Sequence, residues 1–102
     1  MSTLSRDYAG KLRQIRKAEG LTQKVFAEMA GVALSTVKNY ETGHQSARSE
    51  IAEKVLNVPR FQKYALWLTI DQTAPAAGQI SPFLSPNGQD ETKSRQSDQK
   101  AG

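Results

Sequence analysis

The chain has 102 residues, a formal charge of +4 and no cysteine, which leaves room for one small domain and excludes disulfides and thiolate metal sites. The first ten residues, MSTLSRDYAG, carry no signal-peptide pattern, and no stretch approaches the roughly 20 apolar residues of a membrane span. A soluble protein of a reducing compartment, without membrane contact, is expected.

Charge is unevenly placed. Residues 1–70 hold 11 Lys/Arg and 6 Asp/Glu, against 3 and 4 in residues 71–102. The excess positive charge sits on the part with apolar patterning. It fits a polyanionic partner, nucleic acid first, and equally an ordinary solvated basic surface.

Leu4, Tyr8, Leu12, Ile15 and Ala18 recur every three or four residues, one face of a first helix. Arg6, Lys11, Arg13 and Lys17 form its polar face. Ser5 is the expected N-cap, with Asp7 near the positive end of the dipole, and Gly20 the stop. Thr22 caps a second helix whose apolar side is Val25, Phe26, Met29 and Ala30. Gly31 ends it, and Val32 packs under the turn.

A third helix is expected from about Leu34 to Thr42, with Val37 and Tyr40 inward and Gly43 as terminator. Gly43–Ala47 is a polar loop, and Ser46 or Ser49 caps a fourth helix burying Ile51, Ala52, Val55 and Leu56. Pro59 opens a fifth helix with Phe61, Tyr64, Ala65 and Leu68 as its stripe. Trp67 and Ile70 lie off that stripe. They form either a second apolar surface for a dimer or, for Trp67, the last piece of the subunit's own core. Residues 71–102 hold three of the four prolines and much Gln and Ser. Ile80–Leu84 is an apolar island within them, which docks on the domain or on a partner subunit. The expected division is a domain at 1–70, a dimerisation-associated extension at 71–86 (with Ile80, Phe83 and Leu84 as contacts) and a disordered tail at 87–102.

The second and third helices with their glycine turn make a helix-turn-helix. A helix enters the major groove with small or polar residues leading, while phosphate contacts fix its position. Asn39 pairs with adenine through both amide groups, Ser35 serves a donor or an acceptor, Leu34 lies on a thymine methyl, and Lys38 reaches guanine or phosphate. Thr36 lies on the same edge. Thr22 and Gln23 stand at the start of the second helix, where Gln23 and free backbone N–H groups hold a phosphate. The single histidine, His44, has no Ser/Asp partner set, no metal-ligand cluster and no phosphate loop beside it. It is read as a surface or phosphate-contacting residue. No catalytic residue, metal or cofactor is expected.

The motifs GLTQ, FAEMAGV and STVKNYETG resemble the Xre/Cro-type helix-turn-helix of phage repressors over residues 12–56. The resemblance implies an all-α, five-helix, lambda-repressor-like domain, here with an irregular C-terminal extension used for dimerisation. It also implies a structural pair between Arg16 of the first helix and Glu41 at the end of the third. Ala33 departs from the family's Ser/Thr cap, and the usual proline after the Gly43 loop is missing. KYALWLT, TAPAAGQISP and the closing GQDET and QKAG resemble the short immunity repressors, the C proteins, of P2-like temperate phages (peduoviruses).

That narrower resemblance implies a homodimer in the cytoplasm of the bacterial host. It would bind double-stranded operator DNA, often as direct repeats, and block the early lytic promoter to maintain lysogeny. The chain is also too short for the self-cleaving domain of larger phage repressors, so release by a phage antirepressor or by dilution is expected. The alternative is an antitoxin-type autorepressor whose tail grips a partner toxin.

Overall fold

The computed structural model describes residues 7–84, without the side chain of Leu84. Leu4, Ser5, Arg6 and the 87–102 tail lie outside that range. The described residues form five α-helices: α1 (Ala9–Ala18), α2 (Gln23–Ala30), α3 (Leu34–Glu41), α4 (Ser49–Leu56) and α5 (Ala65–Ile70). Three short 3-10 helices, Pro59–Tyr64, Pro75–Ala77 and Pro82–Leu84, complete them. An isolated antiparallel bridge, Ala74 to Gln79, is the β pairing found among them.

α1 begins at Ala9, later than a Ser5 cap requires. The start is set by Asp7, whose Oδ1 accepts the N–H of Ala9 (3.0 Å) and of Ala47 (2.8 Å). Tyr8 N–H donates to Ala47 O at 2.8 Å, so the helix start is tied to the loop before α4. α2 begins as expected, with Thr22 Oγ1 accepting from Val25 N–H, and ends at Gly31 in the left-handed conformation (φ 72°). α4 is a correction. Its N-cap is Arg48, whose side chain makes no cap bond, and Ser49 is already helical.

The expected continuous fifth helix is split in two. After Pro59 the chain winds as a 3-10 helix to Tyr64 before becoming α5. Side chains three apart eclipse in 3-10 geometry, which puts Phe61 and Tyr64 together into the core.

The core draws on every α-helix: Leu12 and Ile15 from α1, Phe26 and Ala27 from α2, Val37 and Tyr40 from α3, Ala52 and Val55 from α4. The 3-10 helix adds Phe61 and Tyr64, and α5 adds Trp67 and Leu68. The rings of Phe26 and Phe61 tilt against each other at 5.2 Å between centroids, a favourable aromatic geometry. α2 packs between α3 and α4, so its buried arc takes Ala27 and leaves Val25 39% exposed, against expectation.

Trp67 is also corrected. It is 8% exposed and belongs to the subunit's own core, so it supplies no second apolar surface. Ile80 likewise packs against that core. Ile70 at 51% and Phe83 at 77% remain outward.

The extension folds back on its own subunit. Ile80 N–H donates to Lys63 O at 2.8 Å, and Pro82–Leu84 lies against α1. Gln79 serves the split in the fifth helix: its Oε1 accepts Leu66 N–H (3.0 Å) and its Nε2 donates to Gln62 O (2.9 Å). Leu66 N–H is one of the unpaired donors at a helix start, so Gln79 caps α5 from 13 residues downstream. Lys11, expected on the solvent face, instead caps the other end of α5. Its Nζ donates to Trp67 O at 2.6 Å, pairs with Asp71 at 2.5 Å, and lies 4.8 Å from the Trp67 ring centroid.

A buried carboxylate joins α1 to the fifth segment. Glu19 Oε1 accepts from Arg60 Nε (2.6 Å), while Oε2 takes the Tyr64 hydroxyl (2.5 Å) and pairs with Lys63 (2.9 Å). Burial alone would raise this carboxyl. The hydrogen bonds and the Lys63 charge outweigh it and hold Glu19 below its ordinary value.

Among the described residues, the Tyr40 hydroxyl is buried without a hydrogen-bond partner. Burial, reinforced by the nearby Glu41 charge and opposed by Arg16, pushes its ionisation well above the usual range. A buried unsatisfied hydroxyl costs about 1–3 kcal/mol. Tyr40→Phe is therefore expected to raise the unfolding free energy by about 1 kcal/mol in urea titration. A loss of stability would contradict this reading of the site.

Candidate nucleic-acid interface

α2 and α3 are joined by three residues, Gly31, Val32 and Ala33. Gly31 takes the left-handed turn, and Val32 N–H bonds back to Ala27 O at 3.0 Å. Ala33 is extended and caps α3 with its backbone alone: its carbonyl accepts from Thr36 and Val37, and no side-chain cap bond forms. Val37 and Tyr40 anchor the inner side of α3 in the core. The opposite side presents Ser35, Lys38 and Asn39 exposed, with Thr36 half-buried beside them. Leu34 is also half-buried and packs against the core, so only part of it faces outward.

The far end of α3 is held by charge. Arg16 meets Glu41 with two parallel bonds, Nε to Oε2 at 2.8 Å and Nη2 to Oε1 at 2.9 Å. Arg16 Nη1 donates to Leu21 O at 2.9 Å, at the entry to α2. The Glu41 side chain is only 4% exposed. Burial works to raise its carboxyl, but bonds from Arg16 and Gln23 and the charges of Arg16 and Arg13 prevail and lower it. This is the pair the resemblance implies.

Gln23 has a use that the sequence reading missed. Its Nε2 donates to Glu41 Oε1 at 3.0 Å, which ties the first turn of α2 into the same cluster. An amide nitrogen carries two protons, so one is left for a phosphate. Thr22 is exposed, with its hydroxyl oxygen engaged as the cap.

His44 lies in the loop after α3, exposed, with Nδ1 2.6 Å from Thr42 Oγ1. Next to it stands Gln45, which was not singled out from the sequence. Its Oε1 is 3.5 Å from Asn39 Nδ2 on the outward edge of α3. The available signal was its place in a polar loop that doubles back on the reading helix.

The elements thus bring Thr22, Gln23, Ser35, Lys38, Asn39 and His44 to the helix-turn-helix and its following loop. They place Trp67 in the core of the subunit and Ile80, partly buried, against that core. No helix of the described residues is long and apolar enough to cross a membrane.

Comparison with known proteins agrees with this geometry. A helix-turn-helix family model matches residues 12–61. The chain is 37% identical over 99 residues to the Repressor protein C of Escherichia phage P2, an alignment covering 97% of this chain and all of that protein.

The clamp has a pH signature. A carboxyl lowered on folding stabilises the fold above its unfolded value, near 4.5, and loses that contribution as pH falls through the folded value. Glu41→Ala leaves Arg16 unpaired and is expected to cost about 3–5 kcal/mol near neutral pH. The gap between the parent and the variant in urea unfolding should shrink as pH falls below the unfolded value, while the Glu19 contribution cancels. A gap independent of pH would contradict a charged clamp.

Proposed function

The chain belongs to the helix-turn-helix family, as a relative of the phage P2 repressor, and we propose that it is a temperate-phage repressor that maintains lysogeny. In this reading it occupies operators of the early lytic promoter as a homodimer in the cytoplasm of the bacterial host. One observation carries the proposal. α3 is fixed along its inner face by Val37, Tyr40 and the Glu41 clamp, while its outer edge holds Ser35, Lys38 and Asn39 exposed. A rigid helix with a free polar edge is suited to base edges in the major groove.

The roles follow from side-chain chemistry. Asn39 offers a donor and an acceptor to adenine, Ser35 adapts to either kind of partner, and Lys38 is a point charge for guanine or phosphate. The visible part of Leu34 suits a thymine methyl. Gln23, held by Glu41, directs its remaining amide proton to the backbone, and the free N–H groups at the start of α2 join it. His44 is placed at the backbone beyond the other end of α3. The positive charge of residues 1–70 supplies the attraction to the duplex that does not depend on sequence.

Two linked reading heads gain effective concentration that one small domain lacks. Ile70 and Phe83, the two most exposed large apolar side chains among the described residues, are the proposed pairing contacts. Half-sites about one helical turn apart, or a multiple of it, would suit two such heads. An antirepressor is the proposed means of release.

Binding is best measured by fluorescence anisotropy on duplexes recovered by footprinting the upstream region. Asn39→Ala and Ser35→Ala are each expected to lose about 1–3 kcal/mol on the cognate duplex and little on unrelated DNA. Gln23→Ala should weaken all duplexes alike. The logarithm of the affinity should fall linearly with the logarithm of salt concentration. Affinity insensitive to salt, or Asn39→Ala binding like the parent, would overturn the assignment of the reading edge.

Assembly is tested separately. In sedimentation velocity the parent is expected to run as a dimer, and Ile70→Asp combined with Phe83→Asp as a monomer with unchanged circular dichroism. A double variant that still runs as a dimer would remove this surface from the proposal.

A further inference from the structure

We propose that Gln45 is a positioning residue for base readout, which fixes the amide of Asn39 in one of its two orientations. The inference rests on the reading of Asn39 as a base contact. It adds a residue from outside the helix-turn-helix to the machinery of sequence choice.

A carboxamide is almost the same shape when turned over, but turning it exchanges donor for acceptor. For an exposed asparagine this torsion is broad, so both orientations are accessible. Only one matches adenine in a given pose, with the amide nitrogen toward N7 and the oxygen toward the N6 amino group. Something must select between them.

The loop after α3 is built to do so. Asn39 O takes two backbone donors, His44 N–H at 2.8 Å and Gln45 N–H at 3.2 Å. These bonds fold the chain back over the last turn of α3 and bring Gln45 alongside Asn39. Gln45 Oε1 then lies 3.5 Å from Asn39 Nδ2, adjacent but beyond the roughly 2.7–3.2 Å of a firm N–H···O bond in the free protein. Both side chains are exposed, so neither is needed for the core.

DNA settles which way the pair points. Phosphate oxygens only accept, so beside a duplex the Gln45 amide nitrogen turns toward the backbone and its oxygen toward Asn39. Asn39 Nδ2 has two protons. The one on the side of Oδ1 forms the adenine contact together with that oxygen, and the other points away from the base and is free for Gln45. The result is a relay from phosphate through Gln45 and Asn39 to one base.

The experiment is selection from a pool of randomised duplexes at fixed salt, with the full chain and the variants Gln45→Met, Gln45→Glu, Asn39→Ala and Asn39→Ala/Gln45→Met. Methionine keeps the length of Gln45 but removes the acceptor, while glutamate keeps the acceptor. Gln45→Met is expected to lose about fivefold or more of base preference at the one position where Asn39→Ala also loses it. Its thermal midpoint should stay unchanged, while its binding to a fixed unrelated duplex should fall modestly, because methionine also lacks the amide that meets the phosphate. Gln45→Glu should keep that preference at lower overall affinity, and the double variant should be no less selective than Asn39→Ala.

Preference retained in Gln45→Met, loss at a different position, loss in Gln45→Glu, or additive losses in the double variant would each overturn the proposal. If Asn39→Ala itself keeps full preference, the reading of Asn39 fails and Gln45 falls with it. The single variants therefore separate the two failures.

Discussion

The paired bonds between Arg16 and Glu41 are the constraint on which the interface depends. The two helices that form the turn are eight residues each and have little stability of their own. Glu41 stands at the end of one, Gln23 at the start of the other, and Arg16 on the helix behind both. One carboxylate joins all three, and Arg16 also takes the carbonyl of Leu21 at the entry to α2. Because Glu41 is nearly excluded from water, a lost partner leaves a charge that the interior cannot solvate. The geometry of the turn is thus specified by charge as well as by packing.

A second buried carboxylate plays a comparable part at the C-cap of α1, one turn beyond Arg16. Glu19 gathers Arg60, Lys63 and Tyr64 and sets the fifth segment against α1. α5, only six residues long, is completed from outside: Gln79 caps its start and Lys11 its end. The extension is therefore part of the domain as well as a bearer of Phe83. Its return to α1 explains how a short helix with an exposed Ile70 keeps a defined place.

Much of this was legible in the sequence because it is local. Thr22 and Gly31 mark the limits of α2 by cap chemistry and left-handed conformation, and the pattern of Val37 and Tyr40 shows which side of α3 is buried. The Arg16–Glu41 pair was legible through family resemblance, since 25 residues separate its members. What stayed hidden depends on long-range partners. Periodicity around Trp67 does not say what packs on it, and the structure puts it into the subunit's core beside Lys11. The start of α1 depends on Asp7 reaching Ala47, 40 positions away. Gln79 as a cap for α5, and Gln45 beside Asn39, arise only once the chain has folded back.

The central claim is that a clamped, rigid α3 reads DNA with its Ser35–Asn39 edge. The most direct measurement is an NMR titration of isotope-labelled protein with a cognate and a scrambled duplex. The account predicts that the backbone amides of Ser35 and Lys38 and the side-chain amide of Asn39 shift strongly with the cognate duplex alone. The Arg16 Nε–H signal should stay in place in both titrations. Cognate-specific shifts confined to the extension or to α4, or a displaced Arg16 signal, would contradict it.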